Sequence, residues 1–240
     1  MRIPIDQDTR VLVLTGAGVS AESGVPTLRD AGGLWEGNRF EDVASPHAFA
    51  RDPILVWRFY SQRRAGLDGI VPNAAHRAIA ALEARLGDRF LLATQNVDGL
   101  HAAAGSQRMI ELHGNLMTSR CSSCDRAPFE DRQVYRDKQV PVCGTCGGLI
   151  RPHIVWFGEP LDGRDLDRVD TFARDAGRHL VFVAIGTSGV VYPAAGIVDE
   201  ARRAGGRTWL VNADRPANAD RFDHVAIGKA GELVPALFGT

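Results

Sequence analysis

Short runs of contiguous apolar residues alternate along this chain with stretches whose apolar positions recur every three or four residues. The runs are Val11–Thr15, Phe90–Thr94, Met109–Leu112, Leu180–Ile185, Thr208–Val211 and His224–Ile227. Most are too short for helices and rich in β-branched and aliphatic side chains, so they read as buried strands. Helical patterns lie between them, roughly over Pro53–Leu67, Ala74–Leu86, Pro193–Ala204 and Gly231–Phe238. Strands that alternate with helices, and are apolar on both faces, predict an α/β fold with a parallel sheet covered on both sides.

Two stretches interrupt the alternation. Residues 28–72 hold a loop and a helical pattern without a good strand, and residues 115–155 hold all four cysteines. Both read as insertions forming a smaller domain. The expected division is 1–27, 73–114 and 156–240 for a Rossmann-like domain, with 28–72 and 115–155 for a small zinc-bearing one. The 240 residues suffice for such an arrangement. A net charge of −1 and an ordinary 24% of charged residues give no sign of a broad nucleic-acid surface. No segment reads as a membrane span or a secretory leader, which makes the cytoplasm the default expectation.

The cysteines form two C-x2-C pairs, Cys121/Cys124 and Cys143/Cys146. Such pairs can close a tetrahedron of thiolates around zinc. Redox pairs or four buried thiols would share the spacing. Four protein ligands leave no open position for a substrate water, so zinc here would be structural.

Three further motifs sit at strand ends, where open parallel sheets bind ligands. Gly16-x-Gly18-x-x-Ala21 follows the first strand as a glycine turn and a helix start. It fits a dinucleotide-binding turn, although Ser20, Ser23-Gly24-Val25-Pro26 and Arg29-Asp30 extend it into a long polar loop. Gln95-Asn96-Val97-Asp98 offers groups for ribose or amide hydrogen bonds, or equally an Asx turn and helix cap. His113 follows Ile110-Glu111-Leu112 and could be a general base or a structural histidine.

Together these pieces resemble the sirtuins, the NAD-dependent protein-lysine deacylases. Gly16-Ala17-Gly18-Val19-Ser20-x-x-Ser23-Gly24-Val25-Pro26, Gln95-Asn96-Val97-Asp98 and Leu112-His113-Gly114 come first. The paired cysteines, Val155-Trp156-Phe157-Gly158-Glu159 and Gly186-Thr187-Ser188 follow in the family's order, across about Val11 to Leu237. The resemblance implies NAD as cosubstrate, one structural zinc and acyl-lysine protein substrates. It implies that Gly16, Ala17, Gly18, Ser20, Ala21, Pro26, Arg29 and the loop to Trp35 enclose the pyrophosphate and nicotinamide. Gln95, Asn96, Val97 and Asp98 would hold the nicotinamide ribose, with Asn96 and His113 catalytic. Gly186, Thr187 and Ser188 would hold phosphate and ribose; Asn212, Ala213, Asp214 and Ala230 would meet the adenosine. Val155, Trp156, Phe157, Gly158 and Glu159 would pair by backbone with the substrate peptide.

A narrower resemblance lies in Trp57-Arg58-Phe59-Tyr60-Ser61-Gln62-Arg63-Arg64. Tyr60 and Arg63 share a helix face and resemble the Tyr-x-x-Arg pair of class III sirtuins, the desuccinylase and CobB-type group. An arginine fork suits a terminal carboxylate on the acyl chain, and Ala44 would keep that pocket roomy. Without the resemblance they read as a core tyrosine beside a solvated arginine. The expected activity is removal of succinyl, malonyl and acetyl groups, by a monomer with no specific nucleic acid. Leu28 stands where the family usually has phenylalanine, which implies weaker shielding of the ribose C1′ face. The alternatives are an ADP-ribosyltransferase or NAD glycohydrolase on the same fold, and a zinc-ribbon nucleic-acid module.

Overall fold

The structure is a computed structural model and describes residues 2–26, 34–35, 38–136, 138–187 and 196–240. The strands are β1 (Arg10–Thr15), β2 (Leu34–Trp35), β3 (Asn38–Arg39), β4 (Phe90–Thr94), β5 (Met109–Glu111) and β6 (Gly114–Cys121). They continue with β7 (Phe129–Glu130), β8 (Ile150–Ile154), β9 (Leu180–Ile185), β10 (Arg207–Asn212) and β11 (His224–Ile227). The helices are α1 (Phe40–Val43), α2 (Pro46–Arg51), α3 (Pro53–Gly66), α4 (Ala74–Leu86), α5 (Leu100–Ala103), α6 (Gly163–Ala176), α7 (Ile197–Arg203) and α8 (Ala230–Phe238).

Six strands form a wholly parallel sheet in the order β11-β10-β9-β1-β4-β5. Chain order reverses between β9 and β1, the doubly wound pattern of Rossmann sheets. Successive residues of each strand face opposite layers. Val11, Val13, Phe90, Leu92, Val181 and Val183 pack with residues of α4 and α8. Leu12, Leu14, Leu91, Ala93, Phe182 and Ala184 pack with α6 and α7. All six residues of β9 are buried, which explains its uninterrupted apolar run. Each large one contributes about 1.5–3 kcal/mol.

Several expectations change. The helix start at Ala21 is instead two 3-10 turns, Ala17–Val19 and Ala21–Ser23, ended by Gly24 at φ +89°. Helix α6 was not expected; Asp162 caps it by accepting from the Arg164 N–H. Of the helix expected over Pro193–Ala204, the structure shows α7 with Gly196 and Ala204 as its caps, and residues 193–195 lie outside the described set.

A second core joins α1–α3 to the antiparallel sheet β7-β6-β8. Val43, Phe49, Trp57, Phe59 and Tyr60 pack with Leu116, Ile150, Ile154 and Trp156. The two insertions therefore stabilise each other. The Trp57 indole donates to the Ile150 carbonyl at 2.8 Å. Arg64, 3% exposed, reaches from α3 into the three-stranded sheet. It donates to the carbonyls of Leu116 and Gln133, both at 2.7 Å, and to Ser119 Oγ at 3.0 Å. It also pairs with Asp131 at 3.2 Å.

Candidate active site

The switch in strand order puts the turns after β1 and β9 side by side. The Gly18 N–H donates to the Gly186 carbonyl at 2.8 Å, and the Gly16 N–H to the Ile185 carbonyl at 3.0 Å. A Cβ on Gly16 would lie 2.8 Å from Gly186 O; one on Gly18 would lie 2.8 Å from Gly186 Cα. The glycines thus serve first to let two turns touch, and only then to shape a ligand crevice. Ala17 and Ala21 are exposed beside this contact. Their N–H groups are taken by no carbonyl among the described residues, so they remain available to ligand oxygens. Pro26 is exposed at the end of the described part of this loop.

The end of β4 adds a polar network beneath the crevice. Thr15 Oγ1 donates to Thr94 Oγ1 at 2.8 Å, and Thr94 Oγ1 also accepts from the Asn96 N–H at 3.0 Å. Gln95 turns outward to donate to Thr187 Oγ1 at 3.1 Å. Ser20, fully buried, donates to Asp98 Oδ2 at 2.7 Å and accepts from Asn96 Nδ2 at 3.0 Å. His76 Nε2 lies 3.3 Å from Ser20 Oγ. Its Nδ1 accepts from the Asn73 N–H, completing a capping box at the start of α4. The proton of neutral His76 is therefore on Nε2 and points at Ser20. With one donation and two acceptances, Ser20 has no capacity left, and its role is to hold Asn96 and Asp98. Asp98 Oδ1 also accepts from the Leu100 N–H at 2.9 Å, just before the first turn of α5. Val97 packs toward the small-domain core, and its carbonyl accepts from the Leu116 N–H at 2.8 Å.

His76 and His101 were not singled out by the sequence. Their rings lie 4.8 Å apart. Because Thr15 already donates to Thr94, it accepts from His101 Nε2 at 2.9 Å. Burial pushes His76 down to about 4 and His101 to about 3. Both are neutral scaffolding.

His113 lies between β5 and β6. Gly114, at φ +82°, cannot carry a side chain, since a Cβ would lie 1.9 Å from the His153 carbonyl oxygen. His113 Nδ1 is 2.9 Å from the Gln95 carbonyl. A carbonyl only accepts, so Nδ1 carries the proton and Nε2 is the basic atom. Burial holds its pKa below the ordinary 6.5, with the Gln95 bond opposing the shift. A neutral, tautomer-fixed imidazole at a crevice is equipped to take a proton.

The His113 carbonyl accepts from the Val155 N–H at 3.0 Å, tying the base to the segment 155–159. There the Trp156 N–H donates to Glu159 Oε2, the Phe157 N–H to the Ala44 carbonyl, and the Glu159 N–H to the Trp156 carbonyl. Gly158, at φ +87°, has the one N–H of this segment without an internal partner among the described residues. The Glu159 side chain is taken up by Arg151, at 2.6 and 2.9 Å. It acts as the brace of the loop.

The family model described as "Sir2 family" matches residues 16–193. The chain belongs to the Sir2 family. An NAD-dependent protein deacylase of Caulobacter vibrioides is 48% identical over 231 residues, covering 95% of this chain and 94% of that protein. A solved Sir2 homologue–NAD complex aligns at a TM-score of 0.86 and 41% identity, over 98% of this chain and 93% of that one. Sir2Tm bound to a propionylated peptide aligns at 0.80 and 30% identity, over 95% and 91%.

In this Sir2 family member the four cysteine sulfurs lie within 4.8 Å of one another. Cys121 and Cys146 sulfurs are 3.5 Å apart, Cys124 and Cys143 sulfurs 3.9 Å. A tetrahedral zinc with bonds near 2.3 Å has sulfur–sulfur edges of about 3.8 Å. The Ser123 and Gly148 N–H groups donate to the sulfurs of Cys121 and Cys146. The residues fit a structural zinc, held by these four thiolates as a crosslink of the small domain.

On the far side of the crevice, Asn212 is buried at the end of β10 and donates to the Asp214 carbonyl at 3.0 Å. Ala213 and Asp214 are exposed beyond it. Ala230 opens α8, where the Gly231 N–H donates to Glu22 at 2.8 Å and docks the β1 loop onto that helix. Arg29, Leu28 and Ser188 lie outside the described residues, and Trp35 is described only as part of β2. In the small domain, Tyr60 is buried and accepts from the Trp156 indole at 2.9 Å. Arg63 is half-buried one helical turn away, near Phe59, and Ala44 is buried.

Proposed function

We propose that this chain is an NAD-dependent protein-lysine deacylase that removes succinyl and malonyl as well as acetyl groups. The observation that carries the reading is the place of His113. Its Nε2, which has no partner among the described residues, belongs to a residue that joins the strand-end crevice, through Gln95, to the 155–159 segment, through Val155. NAD would lie in the crevice and the acyl-lysine against that segment. Loss of nicotinamide as the acyl oxygen attacks ribose C1′ leaves the ribose hydroxyls to be deprotonated, and His113 Nε2 is the acceptor. The 2′-oxygen then attacks the acyl carbon, and water releases lysine and O-acyl-ADP-ribose. Asn96 and Asp98, held by Ser20, orient the nicotinamide ribose side.

Tyr60 and Arg63 support the acidic-acyl reading, because a phenol and a guanidinium on one face of α3 suit a carboxylate. The test is a panel of acetyl-, malonyl- and succinyl-lysine peptides with NAD, read by mass. O-acyl-ADP-ribose is expected from each, whereas free ADP-ribose alone, or ADP-ribosylated protein, would indicate the glycohydrolase or transferase chemistry instead. Arg63→Met should lower the succinyl-to-acetyl ratio of kcat/KM at least tenfold, about the contribution of one charged hydrogen bond. Equal loss on both substrates would refute the role of Arg63.

Thiolate zinc ligands suit a reducing compartment, which supports a cytoplasmic location. The exposed large apolar side chains among the described residues, Ile54, Val71, Val142, Phe157 and Ile227, are scattered singly over helix α3, strand β11 and three connecting segments, which supports a monomer. The balanced charge supports a protein rather than a nucleic-acid partner.

A further inference from the structure

We propose that Trp156 is a positioning residue for recognition of the acyl carboxylate, its indole N–H orienting the Tyr60 hydroxyl so that the phenolic proton is presented to the acyl group. The inference rests on the reading of Tyr60 and Arg63 given above and names a residue that this reading does not contain.

Donor and acceptor capacity carries the argument. An indole nitrogen donates and never accepts, whereas a phenolic oxygen does both. Trp156 Nε1 is 2.9 Å from the Tyr60 hydroxyl, so the Tyr60 oxygen is the acceptor in that bond. Its own proton is left to find another acceptor. None is seen among the described residues, although Tyr60 is only 1% exposed. A buried donor without an acceptor is costly, and where one persists it calls for an explanation. Burial also pushes the Tyr60 phenol up to about 12, with the Arg63 charge acting in the opposite direction. The group is thus a proton donor beside a cation throughout the working pH range. Its complement is an anion with at least one strong acceptor oxygen, as at the end of a succinyl or malonyl chain.

Trp156 is itself held on several sides. Its ring lies 3.3 Å from the Arg151 guanidinium and 5.4 Å from the Phe49 ring, measured between centres. Its backbone N–H is bonded to Glu159, whose carboxylate is clamped by the same Arg151. The indole N–H is therefore a fixed donor, and the phenol rotates about a bond already defined. The residue joins the 155–159 segment to the acyl pocket through one hydrogen bond.

Trp156→Phe keeps an aromatic ring and removes the N–H. The experiment measures kcat and KM for acetyl- and succinyl-lysine forms of one peptide in the wild type, Trp156→Phe, Tyr60→Phe and the double variant. Trp156→Phe should lower the succinyl-to-acetyl ratio of kcat/KM roughly tenfold, mostly through KM for the succinyl peptide. The double variant should show the ratio of Tyr60→Phe alone, because the two groups act as one unit. If Trp156→Phe lowers both substrates equally, or its effect multiplies that of Tyr60→Phe, the proposal is overturned. If Tyr60→Phe leaves the ratio unchanged, the acyl-carboxylate reading itself fails, and this inference with it. Should Trp156→Phe not fold, benzothienylalanine at position 156, which replaces the N–H by sulfur in the same shape, gives the same comparison.

Discussion

Arg64 gives the sharpest test of how the small domain is held. Its guanidinium is almost completely buried, with side-chain exposure of 1%, and its partner Asp131 has 6%. Asp131 Oδ2 also accepts from Ser119 Oγ at 2.5 Å and from the Tyr135 hydroxyl at 3.2 Å. Replacing Arg64 by Met keeps the stem that packs near Trp57, whose ring centre lies 5.1 Å from the guanidinium. It removes every charged donor. Two backbone carbonyls, Leu116 and Gln133, lose bonds of 2.7 Å, and a buried carboxylate loses its cation. Breaking a buried pair from one side costs about 3–5 kcal/mol. With a urea dependence of about 2–3 kcal/mol per molar, the midpoint should fall by roughly 1.5 M. Urea titration of the zinc-loaded protein, followed by tryptophan fluorescence, reads this directly, because Trp57 and Trp156 belong to the affected core.

The control separates desolvation from packing. Arg64→Met with Asp131→Leu removes the orphaned charge and should recover part of the loss, since paired replacement of buried ions by apolar groups is often near neutral. A loss below about 1 kcal/mol in the single variant would refute the structural role assigned to Arg64. A double variant as unstable as the sum of the singles would refute the charge argument.

Three further outcomes are expected. His113 acts as a base only when neutral, and burial lowers its pKa, so log kcat/KM should rise with pH along an acid limb centred below 6.5 and then level; a limb centred above 6.5 would contradict its assigned environment. The folded pKa values of His76 and His101 lie below the unfolded 6.5, so the unfolded chain binds protons first, and stability present above 6.5 should be lost as pH falls toward 4. Each imidazole adds up to about 1.4 kcal/mol per pH unit in that window, and replacing His101 by Asn should flatten the curve measured by denaturant midpoints, whereas an unchanged slope would count against the buried pair. Chelation should remove one zinc per chain, loosen the core shared by α3 and β6, and abolish activity; full activity in metal-free protein would show that the thiolate cluster has no structural part in the cleft.

The sheet was legible because its strands are buried on two faces, which forces continuous apolar runs such as Leu180–Ile185. The cysteine cluster was legible because knuckle spacing is local. Helix α6 was not expected, because charged residues crowd the apolar ones in Gly163–Ala176. Its stripe of Leu166, Val169, Ala173 and Ala176 nevertheless has helical spacing and faces the sheet. The strands β6 and β8 carry Arg120, Arg151 and His153 on a small sheet with little apolar alternation. The His76–Ser20–Asp98 network was hidden for a different reason. It joins three segments far apart in sequence, and a histidine alone does not say which element it will meet. One local signal existed: His76 stands at the third position after Asn73, where a capping side chain is expected.

Helix α3 shows how far such reading extends. Its arginines Arg63 and Arg64 look alike in sequence, and a solvated pair is the ordinary reading. Residues Trp57, Tyr60 and Arg64 are separated by three and four positions, so Arg64 shares the buried face of the two aromatic residues. Arg63 is rotated from Arg64 by about 100°, to the other side of Tyr60, and is only half-buried. Adjacent arginines thus take different tasks from helix phase alone. Arg64 fastens the helix to the three-stranded sheet, and that fastening holds Tyr60 under Trp156, with Arg63 beside the proposed acyl pocket. If this division is right, Arg64→Met should lower stability without selectively changing the succinyl-to-acetyl ratio, and Arg63→Met should change the ratio with little effect on stability. Opposite or equal patterns in the same two measurements would mean that the phase of α3 does not separate anchoring from recognition.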